Sequence, residues 1–255
     1  MQEQEYKIEN IKSFELADIF DCGQCFRWNK QEDGSYTGVF KKNVMNVQKQ
    51  GNTVIFKGIC DGEIKEIVED YFDLKRNYEE IKNKLSQIDE NVKTSIEYGQ
   101  GIRILNQDLW EMIISYIISA NNNIPRIKGI IERLSKTYGQ EIEWNGEKYY
   151  TFPTPEELKD VTVEDYRKLG TGFRDIRLYE TVHMILDKKV NLEEMQNNSN
   201  TLEVREQLLT LSGVGPKVAD CILLFSTLKR FEVFPIDVWV RRVMNELYIK
   251  TEDVT

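Results

Sequence analysis

The sequence predicts an α+β protein, an antiparallel β-sheet followed by two helical lobes, and three observations carry that reading. Over residues 1 to about 60, short β-rich runs alternate with turn residues. From Asp61 the apolar period lengthens, with Ile64, Ile67, Val68, Tyr71 and Phe72 recurring at helical spacing. Within residues 207–242 an amphipathic stretch breaks at Ser212-Gly213-Val214-Gly215-Pro216 and restarts with Lys217 in its first turn. The division expected is a sheet unit with following helices over residues 1–95 and a helical region over 96–255, with the hairpin at about 203–228.

The β-rich runs are residues 6–11, 25–29, 36–41, 44–48 and 53–57, separated by turn signals such as Asp33-Gly34 and Gln50-Gly51-Asn52. An antiparallel meander is the natural arrangement. Residues 78–88 form a second amphipathic helix, and 108–120 are apolar on nearly all faces, which predicts a central buried helix. Asn121-Asn122-Asn123 read as a cap and turn before a helix over 126–138, opened by Pro125 and ended by Gly139. Residues 140–153 read as a loop with a short hairpin. Thr154 and Thr162, each followed three residues later by an acid, are helix starts. Thr171-Gly172-Phe173-Arg174 makes a turn before a helix over 175–188, and an aromatic and an arginine at such a tip are poor core choices. His183, among Tyr179, Val182 and Leu186, reads as packing or surface and not as a ligand. Thr201 is expected to cap the helix that enters the hairpin.

The hairpin itself carries chemistry. Two glycines around one small apolar residue predict a turn too tight for ordinary side chains. Pro216 suits the first helical position, where its missing N–H costs nothing. The exposed N–H groups at such a helix start are a seat for a phosphate. Asp237, after Phe234-Pro235-Ile236 and before another apolar helix, reads as an N-cap carboxylate. A lysine at one helix start and an acid at another can converge on one cleft.

Composition sets bounds. The 255 residues carry a net charge of −9, which argues against a generally adhesive nucleic-acid binder. Arg126, Lys128, Arg133, Arg174, Arg177, Lys217, Arg241 and Arg242 can still form a local basic face, while acids gather in 63–90 and 141–164. Weak non-specific DNA affinity with a modest salt slope is expected. Of the four cysteines, Cys22 and Cys25 have zinc-knuckle or redox spacing, but no second pair stands nearby, so they read as reduced cysteines in a turn. Residues 1–10 lack the regions of a signal peptide, and the apolar run 110–120 is too short to span a bilayer. A cytoplasmic, non-secreted protein is expected.

Four segments in order carry a resemblance: Gly23-Gln24-Cys25-Phe26-Arg27-Trp28, Asn121-Asn122-Asn123-Ile124-Pro125-Arg126, Leu169-Gly170-Thr171-Gly172-Phe173-Arg174, and the hairpin with Lys217 and Asp237. Together they resemble the helix-hairpin-helix DNA glycosylases that carry both a lysine and an aspartate, above all the 8-oxoguanine DNA glycosylases of the eukaryotic-like branch. The resemblance implies excision of 8-oxoguanine opposite cytosine from duplex DNA, followed by a strand-nicking lyase step. In it Lys217 is the nucleophile and Asp237 the electrostatic and acid–base partner. The amine has to be neutral to attack, and a helix N-terminus and an apolar neighbourhood both disfavour the ammonium form.

The resemblance further implies that the Gly23 carbonyl distinguishes the lesion and that Cys221 packs on the extruded base. Asn121 fills the space it leaves, Phe173 wedges the stack, and Arg126 and Arg174 read the orphaned cytosine. Gly213 and Gly215 face the phosphates, and the carbonyls of Leu209, Leu211 and Val214 can hold a structural cation. No other cofactor is implied, and the protein is expected to be a monomer. The bland alternatives are a phosphate-contacting Lys217, a plain N-cap at Asp237, ordinary helix packing for Cys221 and surface solvation for the arginines. Two departures stand out. Trp239 occupies the position where the family often has histidine, and the sequence stops at Thr255, where members usually continue into a helix supplying a stacking aromatic and a glutamine. The rival readings are a glycosylase for another lesion and a non-catalytic helix-hairpin-helix module.

Overall fold

The computed structural model describes residues 2–250. It opens with β1 (Gln2–Ile8), α1 (Leu16–Phe20), β2 (Trp28–Lys30), β3 (Tyr36–Phe40), β4 (Asn43–Gln50) and β5 (Thr53–Cys60). Three helices, α2 (Ile64–Tyr71), α3 (Tyr78–Leu85) and α4 (Glu90–Tyr98), lead to the central α5 (Leu109–Ser119). Then come α6 (Ile124–Tyr138), the hairpin β6 (Glu141–Trp144) and β7 (Glu147–Tyr150), and α7 (Val163–Lys168). The chain continues through α8 (Asp175–Leu186), α9 (Leu192–Asn197), α10 (Thr201–Leu209), α11 (Pro216–Phe225) and α12 (Val238–Met244). The predicted α+β class holds, with the sheet first and the helices after it.

Three expectations for the N-terminal unit need correction. The sheet order is β1-β5-β4-β3-β2, so only β2 to β5 form a meander, while β1 crosses to pair with β5 from Gln2↔Cys60 to Ile8↔Val54. Strand structure around residues 25–29 is confined to β2, because Cys25, Phe26 and Arg27 are drawn inward as a buried loop. Within residues expected to be all strand, α1 buries Leu16, Ile19 and Phe20, a one-turn apolar triad too short to establish a period. Aromatic packing explains the inward pull: the Phe20 and Trp28 rings stack at 4.4 Å, and Trp28 Nε1 donates to the Tyr71 hydroxyl at 2.9 Å.

The helical core is built on α5. Asp108 caps it by accepting from the Glu111 N–H at 2.9 Å, and residues 109–118 are all buried. Asn123 caps α6 through the Arg126 N–H, with Pro125 in the first turn as expected. Thr162 and Asp165 form a reciprocal capping box on α7. Thr201, however, is not the cap of α10: Asn200 is, accepting from the Leu202 and Glu203 N–H groups. Its amide oxygen reaches the second and third helical donors and so takes the role one residue early. The β6–β7 hairpin packs Ile142 and Trp144 onto Val39 and Val44, tying the helical region to the sheet.

Candidate active site

The hairpin is held by side chains as well as by its turn. Arg205 of α10 donates from Nε to Asp220 of α11 at 2.7 Å, tying the two helices together. The motif's own acid is therefore structural. Gly213 sits at φ +86°, and a Cβ there would lie 2.8 Å from the Arg177 side chain and 3.3 Å from Ile117. The expectation that both glycines relieve crowding is corrected at Gly215: its φ is −95°, and a Cβ there would meet nothing within 4 Å. Gly215 instead leaves the start of α11 bare, which keeps the N-terminal N–H groups open to an approaching anion.

Lys217 follows Pro216 in the first turn of α11 and is half-buried, with its amine directed towards the Tyr116 ring. Its Nζ lies 5.6 Å from the centroid of the Tyr116 ring. One turn on, Cys221 is buried at 3% exposure. Burial pushes the Cys221 thiol up in pKa; Lys217 pulls it back, and Asp220 and Asp237 add a small upward push. Lys217 and Asp237 thus act on one buried sulfur from two different elements. Asp237 is the cap of α12, its Oδ1 accepting from the Trp239 and Val240 N–H groups at 2.9 and 2.8 Å. That leaves the second carboxylate oxygen outside the cap.

The Gly23 loop is anchored by its neighbour. Gly23 adopts φ +86°, a conformation that favours glycine. Gln24, 1% exposed, commits its side chain to the chain itself: Nε2 donates to the Ile19 and Arg103 carbonyls, and Oε1 accepts from the Leu105 N–H. Gln107 then donates to the carbonyls of Gln24 at 2.7 Å and Phe225 at 3.1 Å. This glutamine links the Gly23 loop to the far end of the Lys217 helix. Neither Gln107 nor Tyr116 is singled out by motif or spacing; the one signal available for Tyr116 is a polar hydroxyl within an otherwise apolar helix.

A second face gathers around the α5–α6 turn. Asn121 is exposed in the left-handed region at φ +51°, and Arg126 is exposed with Nη2 donating to the Gly170 carbonyl at 3.2 Å. Phe173 stands out at 55% exposure, with the Arg174 and Arg177 guanidinium carbons 4.3 and 5.3 Å from its ring centroid. Arg174 differs from its expected place at a solvent-facing tip. It is 1% exposed, donating to the carbonyls of Ala120, Asn121 and Thr171. Four donations to carbonyls make burial of the cation tolerable, and they fix the backbone that presents Asn121. The basic face is correspondingly smaller than the sequence suggests, since Lys128 donates to Trp28 and Arg133 to Leu169.

Leu209, Leu211 and Val214 flank the Gly213 turn. The Leu211 carbonyl accepts from the Val214 N–H at 3.1 Å. Among the described residues no group of three or more His, Cys, Asp or Glu side chains could hold a metal ion. Cys22 is exposed, Cys25 is buried, and both are free thiols. His183 stacks on Tyr179 with Nδ1 2.9 Å from the Tyr179 carbonyl, a packing role. No helix among the described residues is long and apolar enough to cross a membrane.

With this geometry in place, likeness to known proteins is informative. Residues 7–113 match the family model for the 8-oxoguanine DNA glycosylase N-terminal domain, and residues 114–255 match that of the HhH-GPD superfamily base excision DNA repair proteins. The crystal structure of the Clostridium acetobutylicum 8-oxoguanine glycosylase/lyase in its apo-form superposes with a TM-score of 0.92 at 44% identity, covering 100% of this chain and 88% of that one. The same enzyme in complex with double-stranded DNA containing cytosine opposite 8-oxoguanine gives 0.93 at 44% identity. The N-glycosylase/DNA lyase of Saccharomyces cerevisiae is 32% identical over 91% of this chain. The probable N-glycosylase/DNA lyase of Methanothermobacter thermautotrophicus is 35% identical over 72% of it. The chain spans 68% of the yeast protein and 64% of the archaeal one.

Proposed function

The chain belongs to the HhH-GPD superfamily of base excision DNA repair proteins, with the N-terminal domain of its 8-oxoguanine branch, and from that premise we propose that it is a bifunctional glycosylase and lyase for 8-oxoguanine opposite cytosine in duplex DNA. The observation that carries this reading is Lys217 in the first turn of the hairpin's second helix, one turn from buried Cys221 and beside Tyr116, whose hydroxyl lies 3.5 Å from the Gly23 carbonyl oxygen. Sheet and helical region act as one support for the pocket, and the boundary between them is assigned near residue 95.

In the proposed reaction the damaged nucleotide leaves the stack. Phe173 wedges the gap, Asn121 fills it, and Arg126 faces the cytosine left behind, while buried Arg174 holds the backbone that presents Asn121. Guanine carries an acceptor at N7 where 8-oxoguanine carries a hydrogen. The Gly23 carbonyl accepts a bond from the lesion and faces an unpaired acceptor on guanine, a difference of about 1–3 kcal/mol. The Lys217 Nζ lone pair then attacks C1′ as the N-glycosidic bond breaks, and the departing base carries the electron pair away. Asp237 stabilises the positive charge that builds on the sugar. Ring opening yields a Schiff base on Lys217. Loss of a C2′ proton expels the 3′ phosphate, and water releases the enzyme.

The test compares single-turnover release of base from duplexes carrying 8-oxoguanine opposite cytosine, 3-methyladenine opposite thymine, or no lesion. Release and nicking of the first alone are expected. Preferential release of 3-methyladenine would reassign the substrate, and lesion-specific binding without release would assign a DNA-binding module.

A further inference from the structure

We propose that Tyr116 is the positioning residue that joins the two halves of this site, its ring seating Lys217 and its hydroxyl orienting the Gly23 carbonyl. The proposal deepens the glycosylase reading and rests on it. Tyr116 lies near the end of α5 at 2% exposure, between the Lys217 helix and the Gly23 loop. The Lys217 Nζ lies 5.6 Å from its ring centroid. On one side Phe225, at the end of the Lys217 helix, stacks on the ring at 6.2 Å and 18°. Phe26, from the loop that follows Gly23, meets it edge-on at 5.7 Å and 76°. These two contacts pack the ring from both sides of the pocket.

The hydroxyl has a narrower choice. It lies 3.5 Å from both the Gly23 and the Gln24 carbonyl oxygens, with no other partner among the described residues. A buried phenol needs an acceptor, and burial pushes its pKa well up, so it stays a donor. The Gln24 carbonyl is already served by Gln107 Nε2 at 2.7 Å. Among the described residues only the Tyr116 hydroxyl approaches the Gly23 carbonyl as a donor. One O–H on that oxygen leaves its second lone pair for a lesion N–H. The recognition carbonyl and the nucleophile are thereby referenced to one rigid ring.

The two functions separate by substitution. Tyr116→Phe keeps the ring and removes the hydroxyl; Tyr116→Leu removes both. Each variant and wild type is assayed for single-turnover excision from an 8-oxoguanine:cytosine duplex and for borohydride trapping on a duplex with a preformed abasic site, which needs Lys217 but no base recognition. For Tyr116→Phe, excision about tenfold slower is expected, the loss of one hydrogen bond, with trapping within about twofold of wild type. Tyr116→Leu should lower both rates. Equal loss of both rates in Tyr116→Phe would reduce the residue to general packing, and unchanged excision would remove the hydroxyl's role; either overturns the proposal. Should Tyr116→Leu fail to fold, the Tyr116→Phe arms decide alone. A wild-type chain that neither excises nor traps overturns the glycosylase reading and this proposal together.

Discussion

Helices α5 and α12 begin alike and end differently. Each is apolar, and each is opened by an aspartate that accepts from backbone N–H groups of the first turn, Asp108 from Glu111, Asp237 from Trp239 and Val240. Yet residues 109–118 are all buried, whereas no residue of α12 is, with Val238 61% and Trp239 65% exposed. The difference teaches that an N-cap is a local device that survives without packing. It also divides the proposed site into two kinds of support. Lys217, Tyr116 and Gly23 are referenced to a packed core, while the Asp237 carboxylate is held chiefly by two bonds from its own helix.

The sharpest way to break that contrast is to truncate an apolar residue in each helix. Ile113→Ala should cost about 2–5 kcal/mol of folding stability, the usual penalty of a core cavity, and Trp239→Ala only about 0.5 kcal/mol or less, both read from denaturant midpoints. Equal losses would mean that α12 is packed in solution. Asp237→Asn probes function on the loosely supported side. Asparagine caps as well as aspartate, so melting should be unchanged while excision falls about a hundred- to a thousandfold. A fall in stability matching the fall in activity would make Asp237 a cap and nothing more.

Burial on the α5 side has a titratable consequence. Glu111, 6% exposed, has its carboxyl pKa pushed up to about 7, first by burial and then by Asp108, with Arg27 opposing. Between an unfolded value of about 4.3 and the folded value, the native state holds the proton more tightly. Stability should therefore fall as pH rises through that window and level off above it, by on the order of 3 kcal/mol in all. Glu111→Gln should flatten the dependence between about pH 4.5 and 7, and an unaltered profile in melts would refute the assignment. The two hairpin glycines should part company. Gly213→Ala, crowded and left-handed, should cost about 1–3 kcal/mol, whereas Gly215→Ala should leave stability intact and weaken DNA binding at low salt.

What the sequence disclosed follows the same division between local and distant bonds. The caps at Asn123, Thr162 and Asp237, the β3–β5 ladder and the hairpin with Lys217 are all settled by residues a few positions apart, and they were legible. The β1–β5 pairing was not, since it joins strands about fifty residues apart and leaves no local period. Gln24, Gln107 and Arg174 carry the frame of the site through bonds to carbonyls far along the chain. A polar residue so used looks, in sequence, like any surface residue. The bare face of α12 was equally hidden, because an apolar helix announces a partner without naming it.

In the proposed reaction Lys217 becomes covalently joined to the sugar. Borohydride reduction during incubation with a duplex holding 8-oxoguanine opposite cytosine tests it directly, using wild type and Lys217→Gln. A trapped protein–DNA adduct in wild type and none in the variant is the predicted result. An adduct that persists in Lys217→Gln, or wild-type excision without any adduct, would contradict the account.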